Sequence, residues 1–100
     1  MGIGLSPQQV ARIRTEVETA FGQKVTSVWL FGSRARGEVR GDIDLCLELS
    51  DFSGNLLLAR LALRRRLEAD LGQKVDLVTH VAGDPIPGIV HIARDTGVEL

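Results

Sequence analysis

Acidic side chains follow a short basic turn in one stretch of this sequence, FGSRARGEVRGDIDL, residues 31–45. Asp42 and Asp44 lie two residues apart, so on a strand their carboxylates share one face. Carboxylates this close raise each other's pKa or share a cation. Magnesium prefers such hard oxygen ligands and usually binds one or two carboxylates together with substrate phosphates. The pair therefore indicates a magnesium site, although a solvated strand edge also carries such pairs.

The turn before the two aspartates contains groups that bind phosphate. Gly32 lets the backbone approach a ligand closely, and Ser33 can cap a short helix whose first amides face an anion. Arg34 and Arg36 supply forked donors that match phosphate oxygens. Turn and acids together predict a site for a nucleoside triphosphate with its metal. The alternative is a polar surface turn whose arginines only neutralise the neighbouring acids.

A third acid, Asp76, lies between valine and leucine in the predicted strand KVDLVTH. An unpaired charge at such a position is unfavourable if it is buried. If this strand neighbours the strand of Asp42 and Asp44, three carboxylates converge. Three carboxylates are enough to hold two cations about 3.5–4 Å apart for attack on phosphorus. One ion would activate an attacking hydroxyl, and the other would neutralise the leaving pyrophosphate.

Hydrophobic periodicity predicts three helices and three strands that would position these residues. The predicted helices are residues 6–22, 53–72 and 89–97, and the predicted strands are residues 24–31, 42–49 and 74–80. Ser6 is the predicted cap of the first helix, with Gln9 completing a capping box. Ser53 is the predicted cap of the second helix, and Gly72 is its predicted end. The order α-β-β-α-β-α predicts an α/β (α+β) fold with a small mixed sheet flanked by helices.

Length and composition fit one small globular domain, residues 1–100. The chain is 44% hydrophobic and 25% charged, with a net charge of −1, so no global basic field draws it to nucleic acid or to a membrane. Cys46 is its single cysteine, which excludes an intramolecular disulfide. The N-terminal residues do not resemble a secretory signal, and no apolar run is long enough to span a bilayer. A cytoplasmic location is the resulting prediction.

The segment GSRARGEVRGDIDL resembles the signature of the polymerase-beta-type nucleotidyltransferase superfamily, in which Gly-Ser is followed after a loop by Asp-x-Asp. The short length and the later KVDLV are similar to those of the minimal nucleotidyltransferases of prokaryotes. The resemblance runs from about Val25 to Leu77 and implies the nucleotidyltransferase fold. It also implies transfer of a nucleoside monophosphate, most simply AMP from ATP, to a hydroxyl of a protein or RNA acceptor.

The resemblance assigns roles to individual residues. Gly32 and Ser33 would hold the triphosphate, with Arg34 and Arg36 as further nucleotide contacts. Three acids would ligate two Mg²⁺ ions and act in catalysis: Asp42, Asp44 and Asp76. The resemblance further implies a small helical HEPN-type partner protein, with the chain as the antitoxin of a toxin–antitoxin pair. Self-association into a homo-oligomer is compatible with it.

Two departures from the family pattern favour an alternative function. Only eight residues, Arg34–Gly41, separate Ser33 from Asp42, which is a shorter loop than is usual in the family. Gly41 also replaces the serine that commonly precedes the first aspartate. The alternative is a catalytically weak or inactive binding module that neutralises a partner toxin by direct contact. A structural, oligomer-forming domain with a solvated acidic cluster is a third alternative.

Overall fold

The computed structural model describes residues 2–100, which form three helices and a four-stranded sheet. The helices are α1 (Pro7–Phe21), α2 (Leu56–Leu71) and α3 (Gly88–Thr96). The strands are β1 (Val25–Phe31), β2 (Ile43–Leu49), β3 (Val75–Val81) and β4 (Val98–Glu99). Two 3₁₀ turns, Gly22–Lys24 and Gly32–Arg36, precede and follow β1.

The sheet is mixed, with the strand order β3-β2-β1-β4. β1 is antiparallel to both of its neighbours, whereas β2 and β3 are parallel. A parallel pair needs a long crossover connection, and α2 provides it. The predicted fold class, a small mixed sheet flanked by helices, is confirmed.

The two faces of the sheet are covered by different helices. The face of β2 that carries Ile43, Leu45, Leu47 and Leu49 packs against α1 and α2 in the main core. The opposite face carries Cys46 and packs against Val90 and Ala93 of α3 in a smaller cluster. Asp44, at the start of β2, lies on this second face and is half-buried.

Local sequence explains where the helices begin. Ser6 caps α1, and Gln9 closes the capping box, as predicted. The predicted cap of α2 is wrong: Asn55 accepts the hydrogen bond of the Leu58 amide, not Ser53. Gly54 has a φ of 103°, which no right-handed helix can include, so the helix starts after it.

The last strand was not predicted from the sequence. β4 has only two residues and pairs with Trp29 and Leu30 of β1. Two residues carry too little periodicity to be recognised. Among the described residues, no helix is both long and apolar enough to cross a membrane.

Candidate active site

The candidate site lies at the end of the sheet where β1 ends and β2 and β3 begin. Phe31, the last residue of β1, pairs with Asp44, the second residue of β2. Asp76, the second residue of β3, pairs with the same aspartate from the other side. Paired positions of neighbouring strands point to the same face. The structure therefore brings Asp44 and Asp76 side by side, although 31 residues separate them in the sequence.

Negative charge is concentrated around Asp44. Its pKa is raised above the ordinary value, first by burial, then by the charge and hydrogen bond of Asp76 and by the charge of Asp42. The neighbouring Lys74 acts in the opposite direction. Asp44 is half-buried and Asp76 is exposed. The ionised cluster is thus unfavourable by itself, and a bound cation would relieve it.

Asp42 lies just before β2 and has a basic partner. Its Oδ2 is 3.6 Å from Nζ of Lys74. The two residues meet because the Ile43 amide donates to the Lys74 carbonyl at 3.0 Å, where the parallel pairing of β2 and β3 begins. Sequence reasoning missed Lys74, and the only signal was its place directly before the strand that carries Asp76.

The oxygen donors fit magnesium, but the three acids do not form a ready-made cage. Among residues 2–100, no three carboxylate, imidazole or thiol groups are close enough together to hold an ion. Asp44 and Asp76 supply two adjacent carboxylates, and Asp42 faces Lys74 instead. Magnesium commonly takes one or two carboxylates and completes its shell with water and phosphate oxygens. The negative charge concentrated around Asp44 is consistent with binding of magnesium through two carboxylates. The predicted convergence of three acids is present only in part, because Asp42 faces Lys74.

Gly32 brings the turn after β1 directly against Asp44. Its φ is 72°, in the left-handed region that glycine adopts without strain. A Cβ at this position would overlap Oδ2 of Asp44. Because Gly32 has no side chain, the backbone of the turn can lie directly beside the Asp44 carboxylate.

Ser33 lies beside the loop that leads to Asp42. Its Oγ donates to the Arg40 carbonyl at 3.5 Å, a long contact that leaves the hydroxyl weakly held. Gly41 has a φ of 89°, and a Cβ there would lie 3.2 Å from the Ser33 Oγ. A serine in place of Gly41 would be strained and would crowd that hydroxyl, which explains the glycine in this short loop.

Arg34 is placed differently from the expectation of a phosphate contact. It is 3% exposed, and its guanidinium donates to the carbonyls of Gly4 and Gly41 and to the side chain of Gln73. Burial and these three acceptors make it a structural residue inside the turn. The sequence could not reveal this, since arginine is rarely buried.

Arg36 remains available at the surface. It is exposed, and its Nη2 lies 3.5 Å from Oε2 of the exposed Glu38. Such surface pairs contribute little energy, so Arg36 can leave its partner for a phosphate group at small cost.

A second polar cluster lies farther along the same face and holds α3. Glu48 accepts hydrogen bonds from Arg94 and from Nε1 of Trp29. These bonds, that of Arg94 first, lower the pKa of Glu48. His80 is buried beside this pair. Burial and the charge of Glu48 raise the pKa of the Cys46 thiol to about 11, so it is a packing residue and not a nucleophile.

Comparison with known proteins identifies the domain. The family model of the nucleotidyltransferase domain matches residues 10–94. A curated relative from Methanocaldococcus jannaschii, assigned as a protein adenylyltransferase, is 45% identical over 58 residues. That match covers 56% of this chain and 58% of the relative, so the chain corresponds to only part of the relative's length.

Two solved structures share the fold. A protein assigned as a minimal nucleotidyltransferase superposes with a TM-score of 0.69 and 28% identity, covering 93% of both chains. A chain in the complex of a tri-AMPylated HEPN toxin from Shewanella oneidensis with its MNT antitoxin gives a TM-score of 0.63 and 22% identity, covering 91% of this chain and 70% of that one. The match of the domain model to most of the sequence shows that this chain belongs to the nucleotidyltransferase domain family.

Proposed function

We propose that this chain transfers AMP from ATP to a hydroxyl group of a protein acceptor, with magnesium as the cofactor. The observation that carries the proposal is the pairing of Asp44 with Asp76 directly against the Gly32 turn. Two adjacent carboxylates are suitable ligands for a metal, and the backbone amides of the neighbouring turn can donate hydrogen bonds to phosphate oxygens; both features support the proposal. The relatedness of the chain to a protein adenylyltransferase supports AMP as the transferred group and a protein as the acceptor.

The proposed roles follow from position. Asp44 and Asp76 would hold the metal, with Asp42 as the third oxygen donor once it leaves Lys74. The turn residues Gly32 and Ser33 would bind the triphosphate through backbone amides and a hydroxyl. Magnesium would supply positive charge that neutralises the phosphates and lowers the pKa of the acceptor hydroxyl.

In the reaction, the acceptor oxygen forms a bond to the α-phosphorus while the bond to the pyrophosphate breaks. Asp76 is the exposed acid of the adjacent pair and is therefore assigned to the acceptor side, where its carboxylate takes part in removing the hydroxyl proton. The exposed guanidinium of Arg36 would neutralise the negative charge of the leaving pyrophosphate. Catalysis in this scheme is positioning and charge neutralisation.

The partner that the proposal assigns is a small helical protein of the HEPN type. In the similar solved complex, an AMPylated HEPN toxin is bound to its MNT antitoxin. By this likeness, the chain is proposed to act as an antitoxin that modifies its toxin. A single domain over residues 1–100, a cytoplasmic location and self-association stay predictions.

The test is transfer of label from α-³²P-ATP to a co-expressed HEPN-type protein in the presence of Mg²⁺. We expect transfer by the wild type and a loss of at least a hundredfold in Asp44→Asn and Asp76→Asn, because a missing metal ligand removes much of the transition-state stabilisation. Asp95→Asn is the matched control, since Asp95 is exposed on α3 outside the site.

Equal transfer by Asp44→Asn and the wild type would contradict the proposed mechanism. Label found on RNA but not on protein would overturn the choice of acceptor and keep the chemistry. Loss of transfer in Asp95→Asn as well would indicate a general defect of the variants.

A second function, neutralisation of the toxin by contact alone, is favoured by the pairing of Asp42 with Lys74. That pair leaves two of the three acids in contact with each other and none of them in a ready cage. Under this alternative, Asp44→Asn would neutralise the partner toxin as well as the wild type does. Loss of neutralisation in the same variant would argue for the enzyme.

A further inference from the structure

We propose that Arg34 is the positioning residue of the acidic site, and that its guanidinium fixes the segments before β2 and β3 relative to each other. The consequence for metal binding and catalysis rests on the proposed function. The placement of the two segments does not, and it can be tested separately.

The contacts of Arg34 join three parts of the chain that are distant in sequence. Nη1 donates to the Gly4 carbonyl at 2.8 Å. Nη2 donates to the Gly41 carbonyl at 3.1 Å and also to Oε1 of Gln73. The Arg34 carbonyl in turn accepts from the Gly4 amide at 2.6 Å. A single nitrogen, Nη2, therefore bridges the two loops that lead into β2 and β3.

Both loops end at the acids. Gly41 directly precedes Asp42, and Gln73 lies three residues before Asp76. The parallel pairing begins only after them, at the Ile43 amide and Lys74 carbonyl. Arg34 therefore extends the connection between the two strands past the end of the ladder, at the point where the carboxylates must keep a fixed spacing.

Stability alone does not account for this arginine. Its three acceptors are neutral, and none of the ion pairs of residues 2–100 includes it. Its Nε is buried without an acceptor in the same part of the chain. A buried charge without an acidic partner opposes folding. What the guanidinium offers and an apolar residue lacks is a planar fork that reaches several acceptors at fixed angles.

The experiment compares the free protein with Arg34→Met and Arg34→Lys, and Arg65→Met is the matched control because Arg65 is exposed on α2. The first measurement is amide hydrogen exchange. We expect exchange in residues 38–42 and 72–76 to become about ten- to a hundredfold faster in Arg34→Met, since hydrogen bonds to a charged group are lost. Residues 88–96 of α3 and the control variant should exchange as in the wild type.

The second measurement is Mn²⁺ affinity of the free protein by calorimetry. We expect it to fall about ten- to a hundredfold in Arg34→Met, as is usual when a group that orients metal ligands is removed. Arg34→Lys keeps the charge but loses the fork, so its affinity should fall as well. A lysine variant that binds Mn²⁺ as the wild type does would mean that charge, not positioning, is what matters.

Unchanged exchange in both loops of Arg34→Met would overturn the proposal whatever the activity. If that variant does not fold, Gln73→Leu replaces it, since it removes one acceptor only. Faster exchange confined to residues 72–76 supports the proposal, and unchanged exchange there overturns it. A wild type that neither binds Mn²⁺ nor transfers AMP, while the loops loosen as expected, would refute the proposed function and leave the positioning role standing.

Discussion

Among single residues, Gly32 is the position where a substitution would disturb the site most directly. The Asp44 carboxylate occupies the space that a side chain at residue 32 would need. We expect Gly32→Ala to lose most nucleotidyl transfer, since the new Cβ would displace Oδ2 of Asp44. The positive φ adds a strain of about 1–2 kcal/mol. Transfer assays and chemical denaturation measure the two effects.

Gly72 provides the matched control for this change. Its φ is 66°, close to that of Gly32, and a Cβ there would meet nothing within 4 Å. Gly72→Ala should therefore lose a similar amount of stability and keep its activity. Equal loss of transfer in both alanine variants would show that strain alone, and not contact with Asp44, is responsible.

The charge on Asp44 gives a pH-dependent prediction. Its pKa is raised in the folded protein, so the folded state binds more protons than the unfolded state between the unfolded and folded pKa values. The free energy of unfolding therefore decreases as pH rises through that window. Asp44→Asn should be more stable than the wild type at pH 7, and the difference should shrink as pH falls toward the unfolded value. Urea denaturation at several pH values, without divalent cations, tests this.

Residue types in the opening stretch were sufficient to predict the acidic pair and the turn. The contact of Asp76 with Asp44 could be anticipated only as a condition, because it depends on which strands are neighbours. The roles of Arg34 and Lys74 could not be predicted from the sequence. The burial of Arg34 and the ion pair of Lys74 with Asp42 depend on loops that meet only in the folded chain.

At the scale of elements, α3 is attached to the sheet through Glu48 and Arg94. The pKa of Glu48 is lowered mainly by its bond to Arg94, so this bond stabilises the fold at pH values above the ordinary pKa of a glutamate, and the contribution is lost as pH falls through the lowered pKa. We expect Glu48→Gln to reduce the free energy of unfolding at pH 7 by about 1.5–3 kcal/mol. The difference from the wild type should close in acid.

Hydrogen exchange locates the same effect. In Glu48→Gln, α3 should exchange faster while α1 and α2 keep their protection, because the helices pack on opposite faces of the sheet. Uniform acceleration over all helices would contradict a local role of this bond.

Periodicity predicted every helix and the three longer strands close to their observed bounds. It failed where tertiary contacts decide. The strand β4 forms because β1 offers a free edge, and α2 begins at Leu56, after its cap Asn55, because Gly54 takes a positive φ. Neither condition leaves a repeating pattern in the sequence.

For the whole molecule, ligand binding should appear as added stability. Any ligand that binds only the folded state at about a hundred times its Kd adds about 2.7 kcal/mol. For a domain of this size, that corresponds to a rise in Tm of roughly 10 °C or more. We expect Mg²⁺ with a non-hydrolysable ATP analogue to produce it in the wild type and not in Asp44→Asn. A rise of equal size in both would place the nucleotide elsewhere.

The crossover through α2 has a consequence for the folding of the protein. The two carboxylates that meet at the end of the sheet, Asp44 and Asp76, are separated in the sequence by an entire helix. The long connection through that helix must therefore close before they come into contact. Under the proposed mechanism, fragments or collapsed intermediates that contain the Gly32–Arg36 turn and the pair Asp42 and Asp44, but lack the pairing of β2 with β3, would be inactive. Enzymatic turnover would consequently serve as a sensitive gauge of the fully native fraction during refolding or synthesis.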